Sequence, residues 1–116
     1  MTIREAIKAL DLFPVQDEFE DKQLAGAYTS DLLSDVMAHA HDSGALITIQ
    51  AHKNTIAVAT LVNVSLIIIC NSRPIPDDMT EAAKDEGIAL ARTAENQFVV
   101  SGRLYSLLSE SRFTAC

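Results

Sequence analysis

Six residues in two short stretches have the types and spacing to hold a small anion. His52, Lys53 and Asn54 follow the run Leu46-Ile47-Thr48-Ile49-Gln50, and Asn71, Ser72 and Arg73 follow Leu66-Ile67-Ile68-Ile69-Cys70. Lys53 and Arg73 would meet negative charge, while the imidazole, the two amides and the hydroxyl would orient it. A helix opening after each stretch, near Asn54 and near Asp77, adds free amides and the positive end of a dipole. Asp77 and Asp78 already complement the second helix and repel an anion, so the first loop is the better of the two sites. Ordinary polar loops have a similar composition, so the placement at strand ends is what carries the case.

Other chemistry finds less support. A phosphate-cradling loop needs Gly-x-x-x-x-Gly-Lys-Ser/Thr between a strand and a helix. None of Gly26, Gly44, Gly87 and Gly102 stands in that context, so neither kinase nor ATPase activity is expected. His39 and His41 would point about 200° apart on a helix and could not share a metal ion unless the helix ended between them. Asp31 and Asp35 share a helix face, and a cap followed by a solvated turn accounts for them, with a charged site as the alternative. Ser30 and Ser34 have no histidine nearby in sequence to activate them. Cys70 closes an apolar strand and is expected to be an inert core thiol. No catalytic set, metal or cofactor is implied.

The elements that must position the two stretches are themselves legible. Leu66–Cys70 is apolar at consecutive positions, as a strand buried on both faces should be. Some fifteen residues separate it from the preceding strand, enough for the crossover that a parallel pair requires. The intervening Asn54–Asn63 is apolar nearly all round and must be covered on more than one side. A second copy of the chain is the commonest source of such a cover, so a homodimer is expected. Ser101 and Gly102 in the last helix would permit the alternative, a cover from within the chain. Ligands gather outside the carboxyl ends of parallel strands, where His52–Asn54 and Asn71–Arg73 lie.

Composition narrows the class. The 116 residues make one domain with room for a core. A net charge of −7 is the wrong footprint for nucleic acid and is repelled by anionic lipid. Asn54–Ser72 carries no charge for nineteen residues, near a spanning length, but polar residues interrupt it and Asn63-Val64-Ser65 breaks it, so no membrane span is expected. Cys70 and Cys116 show no ligand spacing, and no basic-then-apolar leader opens the chain, which together suggest a reduced, cytoplasmic setting.

In chain order, Thr2 and Glu5 have capping-box spacing and open a helix with Ile3, Ala6, Ile7 and Leu10 on one face. Leu12–Val15 is extended, with Pro14 suited to an edge strand, and Gln16–Asp21 reads as a solvated turn. Leu24–Tyr28 reads as the returning strand, with Gly26 allowing a close approach. Ser30 or Asp31 would cap a helix to about His41, with Leu32, Leu33, Val36, Met37 and Ala40 inward. Asp77-Asp78 opens another helix that Gly87 ends, and Ile88–Ala91 is a further strand. Thr93 would cap the last helix, with Phe98, Ser101, Gly102, Tyr105 and Leu108 at helical spacing and a polar tail from about residue 109. The alternation makes this an α/β domain with a central, mostly parallel sheet flanked by helices.

The order of elements resembles the DRTGG domain over residues 1 to 108. The resemblance rests on Tyr28-Thr29-Ser30-Asp31-Leu32-Leu33-Ser34-Asp35-Val36-Met37-Ala38, on Leu46–Gln50, on Pro76-Asp77-Asp78 leading into Ala82, Gly87 and Ile88, and on Ser101-Gly102-Arg103-Leu104-Tyr105. Such domains are similar to the module beside the catalytic part of HPr kinase/phosphorylases, and occur in some phosphotransacetylases and CBS-domain proteins. The resemblance implies a stand-alone, non-catalytic regulatory or ligand-sensing module with a small anionic metabolite or nucleotide as ligand. The alternative is an adaptor to a larger enzyme with no ligand of its own. Where the family has Gly-Asp-Arg this chain has Ala51-His52-Lys53, and where it has Thr-Gly-Gly this chain has Asn71-Ser72-Arg73.

Overall fold

Consecutive apolar residues can be buried only in a sheet covered on both faces, and this requirement sets the architecture. The computed structural model describes residues 1–114, with side chains to Glu110. Its elements are α1 (Ile3–Ala9), β1 (Phe13–Gln16), β2 (Ala27–Thr29), α2 (Leu33–His39), β3 (Ala45–Thr48), α3 (Lys53–Leu61), β4 (Leu66–Ile69), α4 (Asp77–Glu86), β5 (Ala89–Arg92) and α5 (Gln97–Thr114). They form an α/β domain whose five-stranded sheet has the order β1-β5-β4-β3-β2. β2 to β5 are parallel, and only β1 runs antiparallel, at the edge beside β5.

Alternate residues of the central strands enter opposite cores, following the period of two along a strand. Ile47, Leu66, Ile68 and Ala91 pack with Ile3, Ala6, Val100 and Leu104, which belong to α1 and α5. Leu46, Ile67, Ile69 and Leu90 pack with Val36, Ile56, Ala59 and Met79, which belong to α2, α3 and α4. Each fully buried Ile or Leu contributes about 1.5–3 kcal/mol relative to exposure. The Thr2–Glu5 capping box starts α1, and Gly87, at φ 66°, ends α4 in the left-handed conformation that glycine tolerates. No helix of the described residues is long and apolar enough to cross a membrane. The uncharged Asn54–Ser72 run instead forms most of α3, a turn and β4.

Several local expectations are corrected. β2 is not a strand returning beside β1. The two lie at opposite edges of the sheet, because β2 pairs in parallel with β3. Gln16 is buried rather than part of a solvated turn, and its amide donates to the Ile88 carbonyl at 2.9 Å. The N-cap of α2 is Leu32 without a side-chain bond, and Leu32 and Met37 are exposed because so short a helix presents only Val36 fully to the core. At α5, Asn96 Oδ1 accepts from the Val99 amide, while the Thr93 hydroxyl accepts only from the Glu95 amide, short of the helix, so Asn96 does the capping. The polar stretch from about 109 continues α5, which stays helical to Thr114. Cys116 lies outside the described residues.

The apolar girth of α3 is covered mainly by its own neighbours, since α2 and α4 flank it on the sheet. Leu61 nonetheless remains 70% exposed on its outer side. On α5 the inward face is Val100 and Leu104, so Phe98 and Tyr105 point outward, 87% and 76% exposed. The spacing shared by Phe98 and Tyr105 is therefore that of the outer face.

The β4–α4 turn holds Asn71 and Ser72 at φ 61° and 51°, with the Arg73 amide donating to the Cys70 carbonyl at 3.3 Å. Asparagine tolerates the left-handed region, whereas serine meets the Cβ clash. Ser72→Gly is expected to raise unfolding stability by about 0.5–1 kcal/mol, the relief of that clash less the added chain entropy of glycine. Denaturant unfolding measures it.

Candidate functional site

The four parallel strands end at one edge, in register: Thr48 pairs with Ile69 and Ile69 with Arg92. The loops after β3 and β4 therefore leave side by side, as the crossover pattern predicts. The structure adds a feature that the sequence does not announce. Asp31, just after β2, turns across this edge instead of capping α2. Its Oδ1 accepts hydrogen bonds from Thr48 Oγ1, from the Ile49 amide and from Gln97 Nε2, each at 2.9 Å. One carboxylate thus ties the β2–α2 loop to the end of β3 and the start of α5. Thr48 Oγ1 accepts in turn from the Gln50 amide at 3.1 Å, and Thr55 Oγ1 donates to the Gln50 carbonyl at 2.8 Å. The loop that leads to His52 is therefore held by its own side chains. The available sequence signal is an acidic residue directly after a parallel strand, the position where such sheets keep functional groups.

At the first loop, His52 is the N-cap of α3, and its Nδ1 accepts from the Asn54 amide at 3.0 Å. That bond uses one of the free amides expected to receive an anion. Lys53 and Asn54 are exposed and line a groove of about 370 Å³ between α3 and α4, which Asp85 and Glu86 also line. At the second loop, the Asn71 and Ser72 amides donate to the Glu95 and Thr93 carbonyls, so β4–α4 is fastened to β5–α5. Arg73 is exposed. The two loops are neighbours, but one leans on α4 and the other on β5–α5. Among the described residues the ion pairs use Lys22, His39 and Lys84, which leaves Lys53 and Arg73 without a carboxylate partner.

Asp35 and the histidines have other roles. Tyr28 OH donates to Asp35 Oδ2 at 2.8 Å, and Asp35 Oδ1 lies 3.1 Å from His39 Nδ1. The Tyr28 hydroxyl, then Ser30 and His39, hold the Asp35 pKa below its usual value, and the same bond to Asp35 raises that of Tyr28. His41 packs beside Gly26 and Gly44: a Cβ at Gly44 would come within 2.8 Å of the His41 Cβ. Asp31 and Asp35 do not form a carboxylate pair, since Asp31 is bonded to β3 and α5 and Asp35 to Tyr28 and His39.

Cys70 is fully buried at the end of β4, and burial, with the Asp31 charge second, pushes its thiol pKa up to about 11. A free cysteine titrates at about 8.5, so the thiolate at neutral pH is reduced roughly hundredfold or more. In a Cys116→Ser background, Cys70 is expected to react with a thiol reagent at least that much more slowly than in the unfolded chain. Equal rates would show that it is accessible.

No protein-family model and no curated protein matches the chain. Among solved structures, it is similar to the CBS and DRTGG domains of the regulatory region of Clostridium perfringens pyrophosphatase, complexed with its activator diadenosine tetraphosphate. The TM-score is 0.68 at 16% sequence identity, over 88% of this chain. The fold is DRTGG-like. The match covers 44% of the pyrophosphatase chain, so this chain spans under half of that regulatory region. Within this fold, the loops carrying Ala51-His52-Lys53 and Asn71-Ser72-Arg73 stand at the ends of adjacent parallel strands.

Proposed function

We propose that this chain is a cytoplasmic, non-catalytic regulatory module that senses a small anionic metabolite or nucleotide at the loops following β3 and β4. The observation that carries the reading is the pair of exposed cations, Lys53 and Arg73, which have no carboxylate partner among the described residues and stand at the ends of neighbouring parallel strands on a chain of charge −7. Asn54, Asn71 and Ser72 are exposed beside them and supply hydrogen bonds, and His52 fixes the start of α3. The similar pyrophosphatase region is regulatory and was crystallised with a nucleotide activator, which supports a sensing role and a phosphorylated ligand. In this reading the module assembles as a homodimer, with the exposed Ala57, Thr60 and Leu61 of α3 as the surface covered.

The test is a thermal-shift screen of nucleotides and phosphorylated metabolites, followed by titration of any hit. A ligand at a hundredfold excess over its Kd stabilises the fold by about 2.7 kcal/mol. A Tm that no phosphorylated compound moves, with copurification of a larger enzyme, would replace the sensing role by that of an adaptor.

A further inference from the structure

A cavity of about 540 Å³ lies on the side of the sheet away from α3, between the edge strand β2 and α5. Ile47 forms part of its lining, with Gly26, Ala27 and Thr29 from the strand side. The helix side is formed by Phe98, Ser101, Gly102, Tyr105 and Leu108.

Three features of this wall point to a visitor. Glycine inside a helix is destabilising, yet a Cβ at Gly102 would meet no neighbouring atom within 4 Å. Packing within the described chain therefore does not require a glycine there. Phe98 and Tyr105 stand seven residues apart, before and after Gly102 on the same face, and are largely exposed. Their Cα atoms are about 10 Å apart along the axis, which accommodates one ring between two others at ordinary aromatic centroid separations of about 5 Å. Finally, no Asp, Glu, Lys or Arg among the described residues lines the cavity, although the chain carries sixteen acidic and nine basic residues. Among the described residues no group of fixed charge there compensates a ligand's charge.

The polar groups fit the same occupant. The Thr29 and Ser101 hydroxyls share a hydrogen bond of 2.7 Å, which uses one of their two donor protons. His41, the Tyr105 hydroxyl and Ser109 remain as polar handles. A few polar groups in a mostly apolar cleft of several hundred Å³ is the usual makeup of a small-molecule site.

We propose that this cavity binds an uncharged, planar aromatic molecule of one or two rings, laid over Gly102 between Phe98 and Tyr105. The site does not depend on the strand-end loops, so it stands or falls separately from the anion site. A nucleotide is disfavoured here because its phosphate would find no Lys or Arg among the described residues.

The experiment is an amide-resolved NMR titration of the full chain with indole, and in parallel with indole-3-acetate as its charged counterpart. Indole is expected to give saturable shifts at residues 26–29, 41 and 98–109 with a Kd of about 1 mM or lower, and the carboxylate to bind at least tenfold more weakly. Gly102→Leu fills the cavity while restoring helix propensity, so it is expected to keep or raise Tm and to weaken indole at least tenfold. Tyr105→Ala, at an exposed position, provides a second variant with the same expected loss. The proposal is overturned by indole shifts that do not saturate or that fall elsewhere, or by affinity unchanged in both variants. It is also overturned if sedimentation finds a dimer that Gly102→Leu dissociates while indole does not bind, because the cavity is then filled by a second copy.

Discussion

Asp31→Ala should lower unfolding stability by about 3 kcal/mol, because it leaves donors at the sheet edge with no acceptor. The Asp31 carboxylate takes bonds from Thr48 Oγ1, the Ile49 amide and Gln97 Nε2. Thr48 is fully buried and Ile49 is partly so. Removing the acceptor strands both of these donors, and a buried unsatisfied donor costs about 1–3 kcal/mol. Gln97 can turn toward water and adds little. Against a total of about 5–15 kcal/mol for an ordinary domain, this is a large fraction, equivalent to a fall in Tm of about 10 °C or more. Asp31→Asn retains an acceptor oxygen and loses only the charge assistance, so it should cost about 1 kcal/mol. A Tm for Asp31→Ala within about 2 °C of the parent would show that the three bonds do not hold this edge together. The same carboxylate positions the start of the β3–α3 loop, so its loss should loosen the candidate anion site before any ligand is added.

Removing both strand-end cations should weaken an anionic ligand about hundredfold. A hydrogen bond to a charged group is worth about 1.5–3 kcal/mol, so Lys53→Ala or Arg73→Ala alone corresponds to about tenfold or more, and the two together to at least the square of that if they act independently. Neither change should disturb the fold, since both side chains are exposed and make no ion pair among the described residues. Surface changes of this kind fall within about 0.5 kcal/mol. Affinity in the parent should also fall with ionic strength, because exposed charges are screened over about 10 Å at 0.1 M salt. Calorimetric titration of a screening hit against the parent, both single variants and the double variant measures the effect. Equal affinity in all four would move the ligand away from these loops.

Much of the scaffold was legible from local patterns. Four consecutive apolar residues in Leu66–Ile69, the fifteen-odd residues before them, and the polar triplets after β3 and β4 sufficed to place two adjacent loops at one sheet edge. Such features are local because burial on both faces, crossover length and helix capping are each written within a window of a few residues. The Thr2–Glu5 box and Gly87 were readable for the same reason.

The remaining features depend on which distant segments meet. Asp31 looks like a cap because caps are local, but its acceptor oxygen is claimed by donors 17, 18 and 66 residues away, which no window contains. Phe98 and Tyr105 share a helical face in the sequence, yet whether that face points inward is decided by the rotation of α5 on the sheet. Val100 and Leu104 bury more completely there and take the inner side. Pairing raises the same difficulty: Leu24–Tyr28 follows β1 closely and reads as its partner, but β1 aligns with β5 and β2 with β3. The sequence alone determined the class, the buried strands and the loops at their ends. Tertiary structure decided the strand order, the hub at Asp31 and the outward aromatic face of α5, because each depends on contacts between elements far apart in the chain.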